Sequence, residues 1–137
     1  MSKTIFPLKV ESGGSSVERR GHILCADDHE DTREMMALWL DQCGYEVTTA
    51  GSLTETLPLT EMGGFDLLLI AGWYHDGHGF DLCKRIRAFD TRTPIFFLSA
   101  YASQDDIQKG LESGAQAYLP KPFDFGVLEQ TIEKFIL

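Results

Sequence analysis

The sequence is short of positive charge, poor in cysteine and without a long apolar run, and each shortage excludes something. Lysine and arginine total 12 against 21 aspartates and glutamates, a formal net charge of -9. A surface of that sign repels phosphates, so binding to nucleic acid or to an anionic membrane is not expected. The three cysteines, Cys25, Cys43 and Cys83, are an odd number without paired spacing. That argues against a disulfide framework or a cysteine metal cluster, and for buried thiols in a reducing compartment. No apolar stretch approaches the roughly 20 residues that span a bilayer. The start, Met1 to Arg20, lacks the continuous apolar core of a signal peptide, so a cytoplasmic location is expected. Internal repeats are absent. So are a G-x-G-x-x-G or P-loop phosphate cradle and a nucleophile with an adjacent base; an enzyme is not expected.

What remains is the composition of an ordinary folded domain. With 43 % apolar and 24 % charged residues, the chain can bury one core and shows no bias toward disorder. Residues 1–20 read as a flexible tail, with linker composition at Ser12-Gly13-Gly14-Ser15-Ser16. Residues 21–137 read as one domain. There the signals alternate. Strands are expected at His22 to Ala26, Tyr45 to Ala50, Phe65 to Ala71, Pro94 to Ser99 and Ala115 to Leu119. Helices are expected at Asp31 to Cys43, Ser52 to Met62, Phe80 to Phe89, Ser103 to Ser113 and Phe125 to Ile136.

Met36, Trp39, Leu40 and Cys43 share one helical face; Leu82, Cys83 and Ile86 another; Leu128, Ile132 and Phe135 a third. Gly44 and Gly114 stop two of the helices. Pro58 cannot donate its backbone bond and is expected to shorten or bend its helix. Gly72 to Gly79 reads as a glycine-rich loop. Five strands alternating with five helices imply an α/β fold, a parallel sheet covered on both faces. In such sheets the functional crevice lies at the carboxyl ends of the strands.

Several candidate groups fall at those ends. The first strand closes on Asp27-Asp28, with Glu30 and Asp31 close behind. Adjacent carboxylates share a cation such as Mg²⁺, or one of them caps the following helix. The fourth strand ends in Ser99-Ala100, where a hydroxyl donates to a bound oxyanion or serves as a turn residue. Lys121 follows the fifth strand, as a point charge for an anion or as a solvated side chain. The third strand, which should supply the central group, ends Ile70-Ala71-Gly72, and alanine is neither acid, base nor nucleophile. A separate metal reading uses His75, Asp76 and His78, whose donors suit Zn²⁺ or Cu²⁺.

Five segments together resemble the receiver domain of bacterial two-component response regulators. They are Ile23-Leu24-Cys25-Ala26-Asp27-Asp28, Phe65-Asp66-Leu67-Leu68-Leu69-Ile70, Gly79-Phe80-Asp81-Leu82-Cys83, Thr93-Pro94-Ile95 leading to Leu98-Ser99-Ala100, and Gly114-Ala115 through Tyr118-Leu119-Pro120-Lys121-Pro122-Phe123. The resemblance implies a flavodoxin-like, doubly wound sheet of order 2-1-3-4-5. It implies that Asp28 ligates Mg²⁺, that Asp27 holds it partly through water, and that Trp73 offers its backbone carbonyl. Ser99, Ala100 and Lys121 would form the phosphate pocket. Tyr118 would be the aromatic that reports activation at the surface of the fourth helix, fifth strand and fifth helix. The Lys121-Pro122 bond would be cis.

The phosphoryl acceptor of such domains falls on Ala71. Tyr74-His75 also replaces the usual methionine-proline after it. Without a carboxylate at 71, phosphotransfer is not expected there, and Mg²⁺ binding is expected to be weak. The alanine has two possible origins: a natural pseudo-receiver, or a replacement made in a working acceptor. Because the chain closes soon after its last helix, no output domain is expected. The expected partners are a sensor histidine kinase or phosphotransfer protein and a downstream protein target, reached by protein–protein docking.

Overall fold

The computed structural model describes residues 19–136. Numbered along the chain, its strands are β1 (His22–Ala26), β2 (Glu46–Ala50), β3 (Leu67–Ala71), β4 (Trp73–Tyr74), β5 (Gly77–His78), β6 (Ile95–Ser99) and β7 (Ala117–Pro120). Its helices are α1 (Glu30–Gln42), α2 (Leu53–Met62), α3 (Gly79–Arg87), α4 (Gln104–Glu112) and α5 (Phe125–Phe135). Five strands make one parallel sheet in the order β2-β1-β3-β6-β7. This is the expected 2-1-3-4-5 topology, with the β4–β5 pair set outside the sheet.

The middle strand explains the layers. Side chains of a strand alternate between faces, and every residue of β3 is buried. Leu67 and Leu69 join Met36 and Leu40 of α1 and Leu128 and Ile132 of α5. Leu68 and Ile70 join Leu82, Cys83 and Ile86 of α3 on the opposite face. A strand covered on both sides must be apolar at every position, hence the run Leu67-Leu68-Leu69-Ile70. The register pairs Ala26 with Ile70, Ala71 with Leu98, and Ser99 with Pro120. Four strands therefore end along one edge, and the candidate groups of the sequence all lie on it.

Gly44 and Gly114 follow α1 and α4 with φ of 100° and 117°, left-handed values that end a helix with little strain only at glycine. Pro58 does not shorten α2, which runs through it for ten residues. The start of the helix is secured from outside it. Ser52 caps Glu55 N–H at 3.0 Å, and both oxygens of Asp76 accept from the Leu53 and Thr54 amides at 2.9 Å. Three amides that a helix start leaves unpaired are thus satisfied.

Asp76 reaches α2 because Gly72 to Gly79 is not an open loop. Trp73–Tyr74 pairs antiparallel with Gly77–His78, and Gly79 N–H donates to Gly72 O at 2.8 Å. A β-carbon on Gly79 would lie 2.1 Å from Ala71 O, so only glycine lets the hairpin close this tightly on β3.

One further expectation is corrected. Phe135 is not core: it is 41 % exposed, its ring set edge-on to Phe96, and the inward position at this end of α5 belongs to Ile136. The tail assigned to residues 1–20 lies outside the described residues up to position 18. Arg19 and Arg20 belong to the folded unit: Arg19 pairs with Asp41 at 3.0 Å, and Arg20 pairs with Glu133 at 2.9 Å and lies over the Tyr45 ring.

Candidate functional site at the carboxyl edge of the sheet

β1 delivers Asp27 into the fold. Its amide continues the ladder to Ala50 O at 3.0 Å, and its side chain is only 6 % exposed. Burying a carboxylate is costly unless every lone pair finds a donor. Oδ1 accepts from His29 N–H at 3.0 Å, and Oδ2 accepts from Lys121 Nζ at 2.7 Å. Lys121 is positioned by β7: its amide donates to Ser99 O at 2.9 Å, and the Lys121-Pro122 bond is cis, as the resemblance implies. With no acid at position 71, the charge that Lys121 meets in the cleft is that of Asp27.

Neither Asp27 nor Asp28 caps α1. The N-cap is His29, with no side-chain bond to the helix. Asp28 is more open than Asp27, and His29 Nδ1 stands 3.3 Å from Oδ1 of each. Among the described residues, these three are the one group whose ligand atoms all lie within 4.8 Å of one another. His75, Asp76 and His78 make no such group. Asp76 is committed to α2, and the His78 ring packs on Trp73 at 3.8 Å between centroids.

Ala71 ends β3, nearly buried, and its amide donates to the hydroxyl of Tyr74 at 2.8 Å. That hydroxyl in turn donates to Ala26 O at 3.0 Å, bridging the ends of β1 and β3. Burial pushes the Tyr74 phenol well above its ordinary pKa, so it stays a neutral donor. Ser99 is buried, and its oxygen accepts from Tyr101 N–H at 3.1 Å. Tyr118 stacks on Phe97 and donates its hydroxyl to Tyr101 O in a short hydrogen bond.

A cleft of about 250 Å³ gathers Asp27, Asp28, Ala71, Trp73, Ser99, Ala100 and Lys121, which are all the pocket residues expected from sequence. Tyr118 lies in an adjoining hollow of about 190 Å³ that Trp73, Ser99 and Tyr101 also line. Sequence reasoning missed His29, Tyr74 and Tyr101. His29 was legible, since it follows the acidic pair directly; Tyr74 and Tyr101 were not, since their roles depend on the hairpin and on the fold of the chain beyond β6.

Mg²⁺ takes hard oxygen ligands in near-octahedral array. Here the cleft offers two carboxylates, one already held by Lys121, and the third strand end contributes a methyl group. Asp27, Asp28 and the backbone carbonyl of Trp73 would hold such an ion, and a side-chain oxygen at position 71 is absent.

Residues 23–133 match the model of the response regulator receiver domain. The nisin biosynthesis regulatory protein NisR of Lactococcus lactis subsp. lactis is 36 % identical over 111 residues, which is 81 % of this chain and 48 % of NisR. The chain thus spans about half the length of curated relatives it matches. Chemotaxis response regulator CheY4 of Vibrio cholerae superposes with a TM-score of 0.78 at 30 % identity, covering 84 % of this chain and 98 % of CheY4. TrrA of Thermotoga maritima, solved in complex with Mg(2+)-BeF, gives 0.77 at 27 % identity over 84 % of this chain and 98 % of its own. Matching family model, shared topology and the common edge of strand ends agree: the chain belongs to the response regulator receiver domain family.

Proposed function

We propose that this receiver works by docking to a protein partner in a state that does not depend on phosphorylation at position 71. The observation that carries this is the Lys121–Asp27 pair at 2.7 Å beside Ala71. Phosphotransfer needs a carboxylate oxygen as nucleophile, and the lysine that would neutralise the product already has a buried counter-charge. Mg²⁺ binds this cleft weakly, because one carboxylate of its ligand set is missing.

Partners are proteins of the two-component type, a sensor kinase or phosphotransfer protein upstream and a protein target downstream. The docking face includes Tyr118, whose hydroxyl is tied to Tyr101 O and whose ring lies against Phe97. The net charge of -9 disfavours nucleic acid as the direct partner of this domain. Among the described residues, no helix is long and apolar enough to cross a membrane.

Incubating the chain and its Ala71→Asp variant with labelled acetyl phosphate and Mg²⁺ tests the reading. Label on the aspartate form alone is expected. Aspartyl-phosphate on the unmodified chain would overturn it.

A further inference from the structure

The scarce cations of this domain are unevenly employed. Arg19, Arg20, Lys109 and Lys121 each pair with a carboxylate, and Arg33 and Arg87 donate to backbone carbonyls. Among the described residues, the side chains of Lys84, Arg85, Arg92 and Lys134 are left with neither a hydrogen bond nor an ion pair. The first three lie together, in the last turn of α3 and the turn after it, and all are exposed. Asp90 N–H still donates to Ile86 O at 2.9 Å, so the chain keeps its helical turn past Arg87. That turn sets Phe89 beside Arg85, four residues back, and Phe89 is 46 % exposed. Cations in a last turn commonly serve the helix itself, through its free carbonyls and its dipole. Here Arg87 is the one so employed, donating to Asp90 O at 2.9 Å just past the helix. Lys84, Arg85 and Arg92 are not held by the fold.

We propose that the end of α3, through Lys84, Arg85, Phe89 and Arg92, is a docking surface for an acidic protein segment carrying an apolar side chain. Charge selects the partner. The chain totals -9, so an extended polyanion such as duplex DNA or an anionic bilayer meets repulsion over most of the domain. A short acidic segment does not, because at physiological salt a field dies away within about 8 Å. Over that range the three free cations decide, and no existing ion pair has to be broken to reach them. Phe89 supplies the apolar contact; aromatic and arginine side chains together are the usual anchors of protein interfaces. The place also matters. α3 begins at the carboxyl edge, where Gly79 N–H meets Gly72 O, and runs back towards the start of β6. Its last turn therefore lies at the opposite edge of the sheet from the cleft. An acidic partner held there leaves the Tyr118 face open to a second protein, which makes the domain an adaptor. The proposal goes beyond the docking reading by adding a face that does not depend on it.

The test titrates the full ¹⁵N-labelled chain with a synthetic peptide of repeated Glu-Glu-Leu and, separately, with its Lys-Lys-Leu counterpart. Alongside run Arg85→Glu, Phe89→Ser and Lys134→Glu. Arg85 and Lys134 are both exposed and unpaired, so the two reversals change the net charge equally and differ only in place. Expected are saturable amide shifts centred on residues 84–92 with the acidic peptide and none with the basic one. Affinity should fall about fivefold or more in Arg85→Glu, where an attraction becomes a repulsion. It should fall about threefold or more in Phe89→Ser and stay within about twofold in Lys134→Glu. Added salt should weaken the binding. Equal losses in Arg85→Glu and Lys134→Glu would overturn the surface, since net charge alone would then account for them. Shifts centred elsewhere, or no saturable shift at millimolar peptide, would overturn it as well. Co-sedimentation with phosphatidylglycerol vesicles in the absence of peptide binding would assign the patch to a membrane and overturn the protein segment. Acetyl phosphate labelling at position 71 neither uses nor touches this surface, so the two readings fail separately.

Discussion

Lys121 Nζ lies 2.7 Å from Asp27 Oδ2, joining residues 94 positions apart across the carboxyl edge of the sheet. The pair is mostly out of water, with side-chain exposures of 23 % and 6 %. A buried pair adds little net stability by itself, but removing one member strands the other charge. Lys121→Met should therefore lower unfolding stability by about 2–4 kcal/mol in urea titrations. The Asp27→Asn, Lys121→Met double variant should recover much of that. A single-variant loss below about 0.5 kcal/mol, the scale of an exposed pair, would show that Asp27 is not held by the lysine.

Tyr74 bridges Ala71 N–H and Ala26 O with one hydroxyl. Tyr74→Phe keeps the ring in the core but takes away that bridge from two buried backbone groups. The expected cost is about 1–3 kcal/mol, with faster hydrogen exchange at the Ala71 amide. Unchanged protection at Ala71 would mean that the strands close directly on each other and the hydroxyl is dispensable.

Asp76 accepts from the Thr54 hydroxyl first and then from the Leu53 and Thr54 amides, which hold its carboxyl at about 2 against an ordinary 3.8. A carboxyl whose pKa is depressed by folding contributes stability above the ordinary value and loses it as pH falls through the folded one. The stability gap between the chain and Asp76→Asn should thus be fully present above about pH 4 and shrink towards pH 2. A gap that stays constant over that window would place the effect elsewhere than in this charge. The same variant should fray α2 at Leu53, because Pro58 leaves that helix with fewer internal bonds.

Much of the architecture was legible because it rests on local pattern. The continuous apolar run at β3, the glycines after α1 and α4 and the acidic pair after β1 each follow from neighbours in sequence. The strand order and the cis peptide at Lys121-Pro122 came with the family resemblance instead. What escaped was set by long-range contact. Pro58 was expected to shorten or bend α2, yet the helix runs its full length, and the cap on its start comes from Asp76, 22 residues or more away. Gly72 to Gly79 read as a loop because a two-residue strand has no periodicity to detect. Phe135 read as core from helical spacing, but α5 ends there and Ile136 turns inward instead. At the site, every pocket residue expected from sequence lies in one cleft, while the partner Lys121 chooses depends on geometry no spacing encodes.

The central claim is that this receiver does not switch through position 71, and beryllofluoride tests it most directly, since it mimics a phosphoryl group only when a carboxylate is there to hold it. Amide spectra of the uniformly ¹⁵N-labelled chain should be recorded with Mg²⁺ alone and with Mg²⁺ plus beryllofluoride, beside Ala71→Asp. No added shift at Ser99, Tyr101 and Tyr118 is expected for the chain, and clear shifts at these residues for Ala71→Asp. Saturable beryllofluoride-dependent shifts at Ser99 and Tyr118 in the unmodified chain would contradict the account.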